Sequence, residues 1–454
     1  MADLHPSDTL AQLRAGRLTG ASRLDLRGCG LHQLPPEVLT LADTLQVLDL
    51  TGNQLQALPD AFARLQKLRV LFCSNNRFTE LPAVLGRCPA LDTIGFKANQ
   101  IEWVPAQALP PLLRWLILTD NRIVELPESL GDCARLQKLM LAGNRLRQLP
   151  ARIAHCQRLE LLRLAANQFE RAEDALPEGL LALPRLAWLA HAGNPFSEAR
   201  EHAAEQAGAV ASIAWSQLAL QGLLGEGASG VIHAAQWQAD GRVAQPVAVK
   251  LFKGAMTSDG LPRSEIAASI ATGVHPHLVA VEGRLTGHPD AAQGLVLRRI
   301  PPGFGNLAAP PSLASCSRDV YADTTRFGAA RAVAIASAMT SALAHLHRQG
   351  LAHGDLYGHN ILVNEDGDGD GDRNRDRDHG FGCLLGDFGA ASFLPVDDPQ
   401  RTAALQRIDR RALGWLIDEL AQRCDQPAAL AALRQATAAS AGPATLSTPA
   451  LRSP

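Results

Sequence analysis

Two short stretches hold the side chains best suited to chemistry: HGDLYGHNILV at 353–363 and GDFGAAS at 386–392. Read as H-x-D-x-x-x-x-N and then D-F-G, they put Asp355 where a phosphoryl-transfer site keeps its base, and Asn360 and Asp387 where it keeps magnesium. The chemistry accounts for the spacing. A carboxylate must meet an incoming hydroxyl while an amide and a second carboxylate grip the metal ions that bridge the ATP phosphates. Five residues from Asp355 to Asn360 are enough to leave the loop and enter the next strand.

Such groups need elements that position a nucleotide, and the upstream chain supplies them in order. Leu224, Gly225, Glu226, Gly227, Gly230 and Val231 lie in LGEGASGV, a G-x-G-x-x-G-x-V register, and VAVK ends at Lys250. Glycines at this spacing also mark dinucleotide sites and ordinary turns, but here an apolar, β-branched run ending in lysine follows them. Glu265, in RSEIAASIATGVHPHLV, falls on a predicted helix after the Lys250 strand, where an ion pair would aim the ammonium at the phosphates.

Five motifs thus agree in order and spacing, and residues 217–420 resemble the eukaryotic-like Ser/Thr protein kinase family. The resemblance implies an α+β two-lobed domain that uses ATP and Mg2+ to phosphorylate Ser or Thr hydroxyls. In it Lys250 would orient the phosphates, Glu265 would hold Lys250, and the glycine-rich loop would cover the nucleotide. Asn360 and Asp387 would bind the metal, and Asp355 would take the hydroxyl proton. Residues 295–307 look like the fifth strand and hinge, with Leu297 near the gatekeeper position. The periodic stretch 329–349 looks like the helix leading into the catalytic loop, His353 a backbone anchor, and Asp409 the buried aspartate that holds that loop. Ser392 and Thr402 are candidate autophosphorylation sites by position.

The pattern also departs from the family. Gly354 replaces the arginine that would contact a phosphorylated activation segment. Tyr357 stands where a lysine usually sits beside the transferring phosphate, removing a charge that would stabilise the transition state. No A-P-E follows D-F-G, and 34 residues follow Leu420, too few for the usual substrate-docking helices. HGDL is also how aminoglycoside phosphotransferases write their catalytic loop, so a small-molecule kinase is an alternative. A pseudokinase scaffold carried by the upstream repeats is another.

Those repeats occupy residues 21 to about 196. Asn53, Asn76, Asn99, Asn121, Asn144 and Asn167 recur every 22 or 23 residues, with runs such as LQVLDLTGN and LQKLMLAGN upstream and L-x-x-L-P-type runs ending at Pro59, Pro82, Pro105, Pro127 and Pro150 downstream of the first five. This is the leucine-rich repeat signature. One unit cannot bury its leucines alone, so stacking predicts a curved α/β leucine-rich-repeat solenoid of about eight units, followed by the α+β kinase-like domain. Expected bounds are a cap over 1–20, the solenoid with a closing helix over 21–208, and the kinase-like part over 209–454. The last divides into an N-lobe near 217–300, a shortened C-lobe near 301–440 and a disordered tail. Alternation along each strand sends Phe72, Trp115, Ile117, Met140, Leu161 and Trp188 to the concave face, an apolar stripe predicted to receive a protein partner or substrate.

Composition sets the remaining bounds. The chain has 454 residues, net charge −2 and 46% hydrophobic content, which suits a protein of two or more domains and argues against a nucleic-acid binder. No basic n-region precedes an apolar run and no stretch reads as a transmembrane segment, so a cytoplasmic address is expected. Cys88, Cys133 and Cys156 share one position of the repeat and read as core, not as metal ligands or disulfides. Five lysines among 43 basic residues, with abundant alanine, suggest a GC-rich bacterial source. Asp366, Asp368, Asp370 and Gly371 imitate a calcium loop, but Arg377 stands where its twelfth-position glutamate belongs, so a solvated insertion is the expectation.

Overall fold

A computed structural model describes residues 5–207, 210–227, 229–239, 241, 243–254, 256–257, 259–364 and 382–441. The calcium-like stretch and the predicted tail beyond residue 441 lie outside them.

After a helix α1 (Pro6–Arg14), the repeats contribute one three-residue strand each. These are β1 (Arg23–Asp25), β2 (Val47–Asp49), β3 (Val70–Phe72), β4 (Thr93–Gly95), β5 (Trp115–Ile117), β6 (Lys138–Met140), β7 (Leu161–Arg163) and β8 (Trp188–Ala190). They pair in parallel and in sequence order into one sheet. The strands are short because the leucines on either side must turn into the core, and the asparagine ladder makes that turn possible. Asn53 accepts from the Leu31 N–H at 2.9 Å and donates to the Leu26 and Leu50 carbonyls, so buried backbone groups between units are satisfied. Asn76, Asn99, Asn121, Asn144 and Asn167 repeat the pattern. Cys88, Cys133 and Cys156 are buried free thiols, as their shared position requires. Short helices α2 (Ala172–Ala175) and α3 (Glu178–Leu181) enter the lengthened last unit, and α4 (Pro195–Ala207) closes the stack.

The chain then builds a second sheet from β9 (Ala211–Ala214), β10 (Leu218–Glu226), β11 (Gly230–Trp237), β12 (Gln245–Phe252), β13 (Val281–Thr286) and β14 (Gly294–Arg298), in the order β10-β11-β12-β14-β13-β9. The stretch after α4 supplies the edge strand of this sheet, where β9 pairs with β13 in parallel. Helix α5 (Pro262–Ala271) packs on this sheet. Strands β15 (Phe304–Asn306), β17 (Ile361–Asn364) and β18 (Cys383–Leu385) form a small sheet, and β16 (Leu351–Ala352) pairs with β19 (Ser392–Phe393). Below them lie helices α6 (Ala329–Arg348), α7 (Pro399–Gln422) and α8 (Ala431–Ala441). By length and composition α6 is long and apolar enough to cross a membrane, contrary to the sequence expectation. Its Ile335, Ala336, Met339, Ala342 and Leu346 are nevertheless buried in the helical core.

The two halves share their cores. Leu161, Ala187 and Trp188 of the solenoid are buried among Leu356, Tyr357, Leu413, Leu416 and Ile417 of the kinase-like part. Conversely, Ala352, Leu394, Ala404, Leu405 and Ile408 join the leucine core of the repeats. This corrects the reading of the concave face as a free partner site. Trp188 is 2% exposed because the catalytic loop and α7 sit on it. Its indole stacks on Tyr357 with ring centroids 4.1 Å apart and planes 9° apart, and its Nε1 donates to the Leu356 carbonyl at 3.0 Å. Leu161 is buried with it, and Met140 packs at the edge of the same cluster. Phe72, Trp115 and Ile117 remain half-buried, with the Lys138 ammonium 4.3 Å from the Trp115 ring centroid.

Candidate active site

The glycine-rich loop is the turn between β10 and β11. The Gly227 N–H bonds to the Gly230 carbonyl at 2.9 Å, closing the hairpin. A Cβ at Gly230 would stand 2.5 Å from the Leu251 carbonyl oxygen, so only glycine lets β11 lie this close to β12. Leu224 is exposed, Gly225 and Val231 are half-buried, and the Glu226 carboxylate pairs with Lys253 at the mouth of the turn.

Lys250 ends the buried run of β12 and forms an ion pair with Glu265 of α5. Both are nearly sequestered from solvent. Burial pulls the Lys250 ammonium down, but Glu265 and Asp387 outweigh it and the net shift is upward. The lysine therefore keeps its charge where phosphates would arrive.

Asp409 of α7 holds the catalytic loop from beneath. Its carboxylate accepts from the His353 N–H at 2.9 Å, the Gly354 N–H at 3.1 Å and His347. These bonds fix the backbone that carries Asp355. The Asn360 Nδ2 donates to both the Asp355 carbonyl and its Oδ2, each at 2.9 Å, which leaves the Asn360 Oδ1 as an acceptor. Asp387 adopts a left-handed backbone, φ 54°, rare for a residue with a Cβ, and its side chain is open to the cleft. The Gly389 N–H donates to Asp387 Oδ1 at 3.2 Å, and an amide oxygen together with an exposed carboxylate is a donor set that suits a hard cation taking its remaining ligands from phosphate and water. Among the described residues no three His, Cys, Asp or Glu side chains converge on a metal geometry of their own.

Sequence reasoning missed one participant. Arg163, at the end of β7, reaches out of the solenoid and is itself 2% exposed. Its Nη2 pairs with Asp355 Oδ1, its Nη1 donates to the Gly354 carbonyl at 3.2 Å, and its Nε donates to Asp259 at 2.8 Å. Burial pushes the Asp355 carboxyl up, yet Arg163, with His359 and His353, outweighs it and holds it below the usual carboxylate range. A signal was available: Arg163 is the sole cation among the residues that stand between the two leucines of each L-x-L, where the others are Asp49, Phe72, Gly95, Ile117, Met140 and Ala190.

The candidate phosphosite Ser392 does not survive the geometry. Its side chain is fully buried at the seam, where Oγ accepts from the His191 N–H at 3.1 Å. Thr402 is half-buried and donates to the Pro395 carbonyl at 2.7 Å.

Residues 218–424 match the model of the protein tyrosine and serine/threonine kinase family, and 19–78, 43–101 and 111–169 match that of the leucine-rich repeat. A curated relative from Dictyostelium discoideum, described as a probable inactive serine/threonine-protein kinase, roco10, is 33% identical over 99 residues. That match covers 21% of this chain and only 4% of the relative. A solved leucine-rich-repeat protein from Leptospira interrogans is 22% identical, with a TM-score of 0.28 over 43% of this chain and 66% of its own. The chain therefore joins leucine-rich repeats to a domain of the protein tyrosine and serine/threonine kinase family.

Proposed function

We propose that the chain transfers the γ-phosphate of Mg-ATP to serine or threonine hydroxyls of proteins. One observation carries the reading: the Lys250–Glu265 pair lies within electrostatic reach of the exposed Asp387, while Asn360 braces the Asp355 carboxylate in the loop before it. Lys250 would meet the phosphates, and the backbone N–H groups of residues 225–231 would cover them. Asn360 Oδ1 and Asp387 would hold magnesium, which when bound neutralises charge on phosphate oxygens. Asp355 would orient the hydroxyl and take its proton. The half-buried stretch of the concave face around Phe72, Trp115 and Ile117 is our candidate place for a protein partner or substrate.

The test is magnesium-dependent transfer of labelled γ-phosphate to the protein itself and to a generic protein substrate, beside Asp355→Ala. Transfer by the wild type with a loss of at least about 100-fold in the variant is expected. Absence of transfer despite a nucleotide-induced rise in melting temperature would replace this reading with a nucleotide-binding scaffold or a small-molecule kinase.

A further inference from the structure

Arg163 belongs to the repeats, yet every polar contact described for its guanidinium is to the kinase domain. It binds Asp259 in the loop before α5 and, in the other lobe, Asp355 and the carbonyl of Gly354. One guanidinium fork thus joins both lobes at the candidate base. The surrounding seam is tightly packed at Gly354. A Cβ on Gly354, which sits at φ 70°, would come within 2.7 Å of the Leu189 carbonyl oxygen of β8 and 2.6 Å of that of Ala390. The catalytic loop is glycine at this position because a solenoid strand lies against it. Two residues beyond Asp355, Tyr357 supplies no cation and instead stacks on Trp188.

We propose that Arg163 is a positioning residue of the phosphotransfer site, a cation lent by the leucine-rich repeats that fixes the Asp355 carboxylate. The inference rests on the kinase reading above. An arginine laid across a carboxylate could equally be a latch that blocks the site, and three observations favour positioning. Leu161 and Trp188 are buried in the kinase core beside it, so lifting the solenoid would expose a large apolar face and break every polar contact described for the Arg163 guanidinium. The carboxylate is not sealed: Asp355 retains 15% of its side-chain surface, and its Oδ2 turns to Asn360 at the metal side. The Lys250–Glu265 pair is formed in the same structure, with α5 held through Ser264 by Glu201 of α4 at 2.6 Å. These are the features of an assembled site rather than a dismantled one.

The experiment measures steady-state phosphate transfer by the full chain carrying Arg163→Met or Arg163→Lys, with melting temperature and nucleotide-induced melting shift recorded for each. Methionine keeps the unbranched stem as far as the Nε position and loses the charge. Its kcat should fall roughly 100-fold, as for loss of one preorganised charge at a reacting centre, with the KM for ATP within about threefold of wild type. Lysine keeps charge, but its donors sit on one compact nitrogen and lack the planar fork that spans Asp355, Gly354 and Asp259. It should regain about tenfold over methionine and stay below wild type. An Arg163→Met enzyme as fast as the wild type, or faster, overturns the proposal, the second result revealing a latch. Equal losses in both variants together with lost nucleotide binding overturn it in favour of a purely structural role. If Arg163→Met does not fold, Arg163→Lys decides: about tenfold lower kcat at unchanged KM supports the proposal, and wild-type kcat overturns it. Failure of the underlying reading looks different, because then the wild type itself shows no transfer that Asp355→Ala abolishes.

Discussion

His191 illustrates how much a single side chain reports. It occupies the position that Leu50, Leu118, Leu141 and Leu164 fill in other repeats, so its imidazole points into the core. It is fully buried, neither ring nitrogen reaches a partner in another residue, and burial pushes its pKa down to about 4. The sign follows from linkage. With the folded value below the ordinary 6.5, the unfolded chain binds the proton more readily, so stability is intact above about pH 6.5 and is lost as pH falls towards 4. The loss attributable to this group is on the order of 3 kcal/mol. His191→Leu restores the pattern of the repeat and should raise the melting temperature at neutral pH. It should also flatten the decline between pH 6.5 and 4, measured by thermal melts across that range; an unchanged slope would place the acid sensitivity elsewhere. Gly354 yields a second expectation. Gly354→Ala meets both a left-handed backbone and two carbonyl oxygens, and should lower stability by about 1–3 kcal/mol in denaturant melts.

At the scale of elements, the strands and motif loops were legible and the docking was not. The asparagine ladder, the L-x-x-L-x-L units and the glycine-to-D-F-G series are local patterns whose physical reason lies within one repeat or one hairpin. Period and spacing therefore revealed them. The burial of Trp188 and Leu161 arises from surfaces far apart in sequence, and alternation along a strand says only that a side chain leaves the core, not what meets it. Ser392 misled for the same reason: an exposed activation segment was the natural expectation, and β8 covers it. Helix α7 comes directly after that segment and lies on the last repeats, where the Arg411 guanidinium donates to the Leu183 carbonyl at 3.1 Å and to that of Leu186. Trp188→Ala should cost about 3–5 kcal/mol, because it leaves a cavity between two elements and strands the Leu356 carbonyl.

For the whole molecule, the solenoid is both a repeat stack and one flank of the core of the kinase domain. It contributes apolar surface to the C-lobe, a cation to the candidate base, and, through α4, a brace on α5. The N-lobe is tied to the stack through α5 at Glu201–Ser264 and through β13 at Glu205–Arg284, so the element that carries Glu265 is braced from the solenoid side. Any ligand on the half-buried stretch of the concave face would act on a body already joined to the catalytic loop. The most direct measurement is amide hydrogen exchange of the full chain with and without Trp188→Ala, comparing residues 161–163 and 188–190 with residues 351–356. Docking predicts that exchange accelerates in the solenoid strands and in the catalytic loop together. Acceleration confined to the solenoid, with the catalytic loop as protected as before, would contradict it.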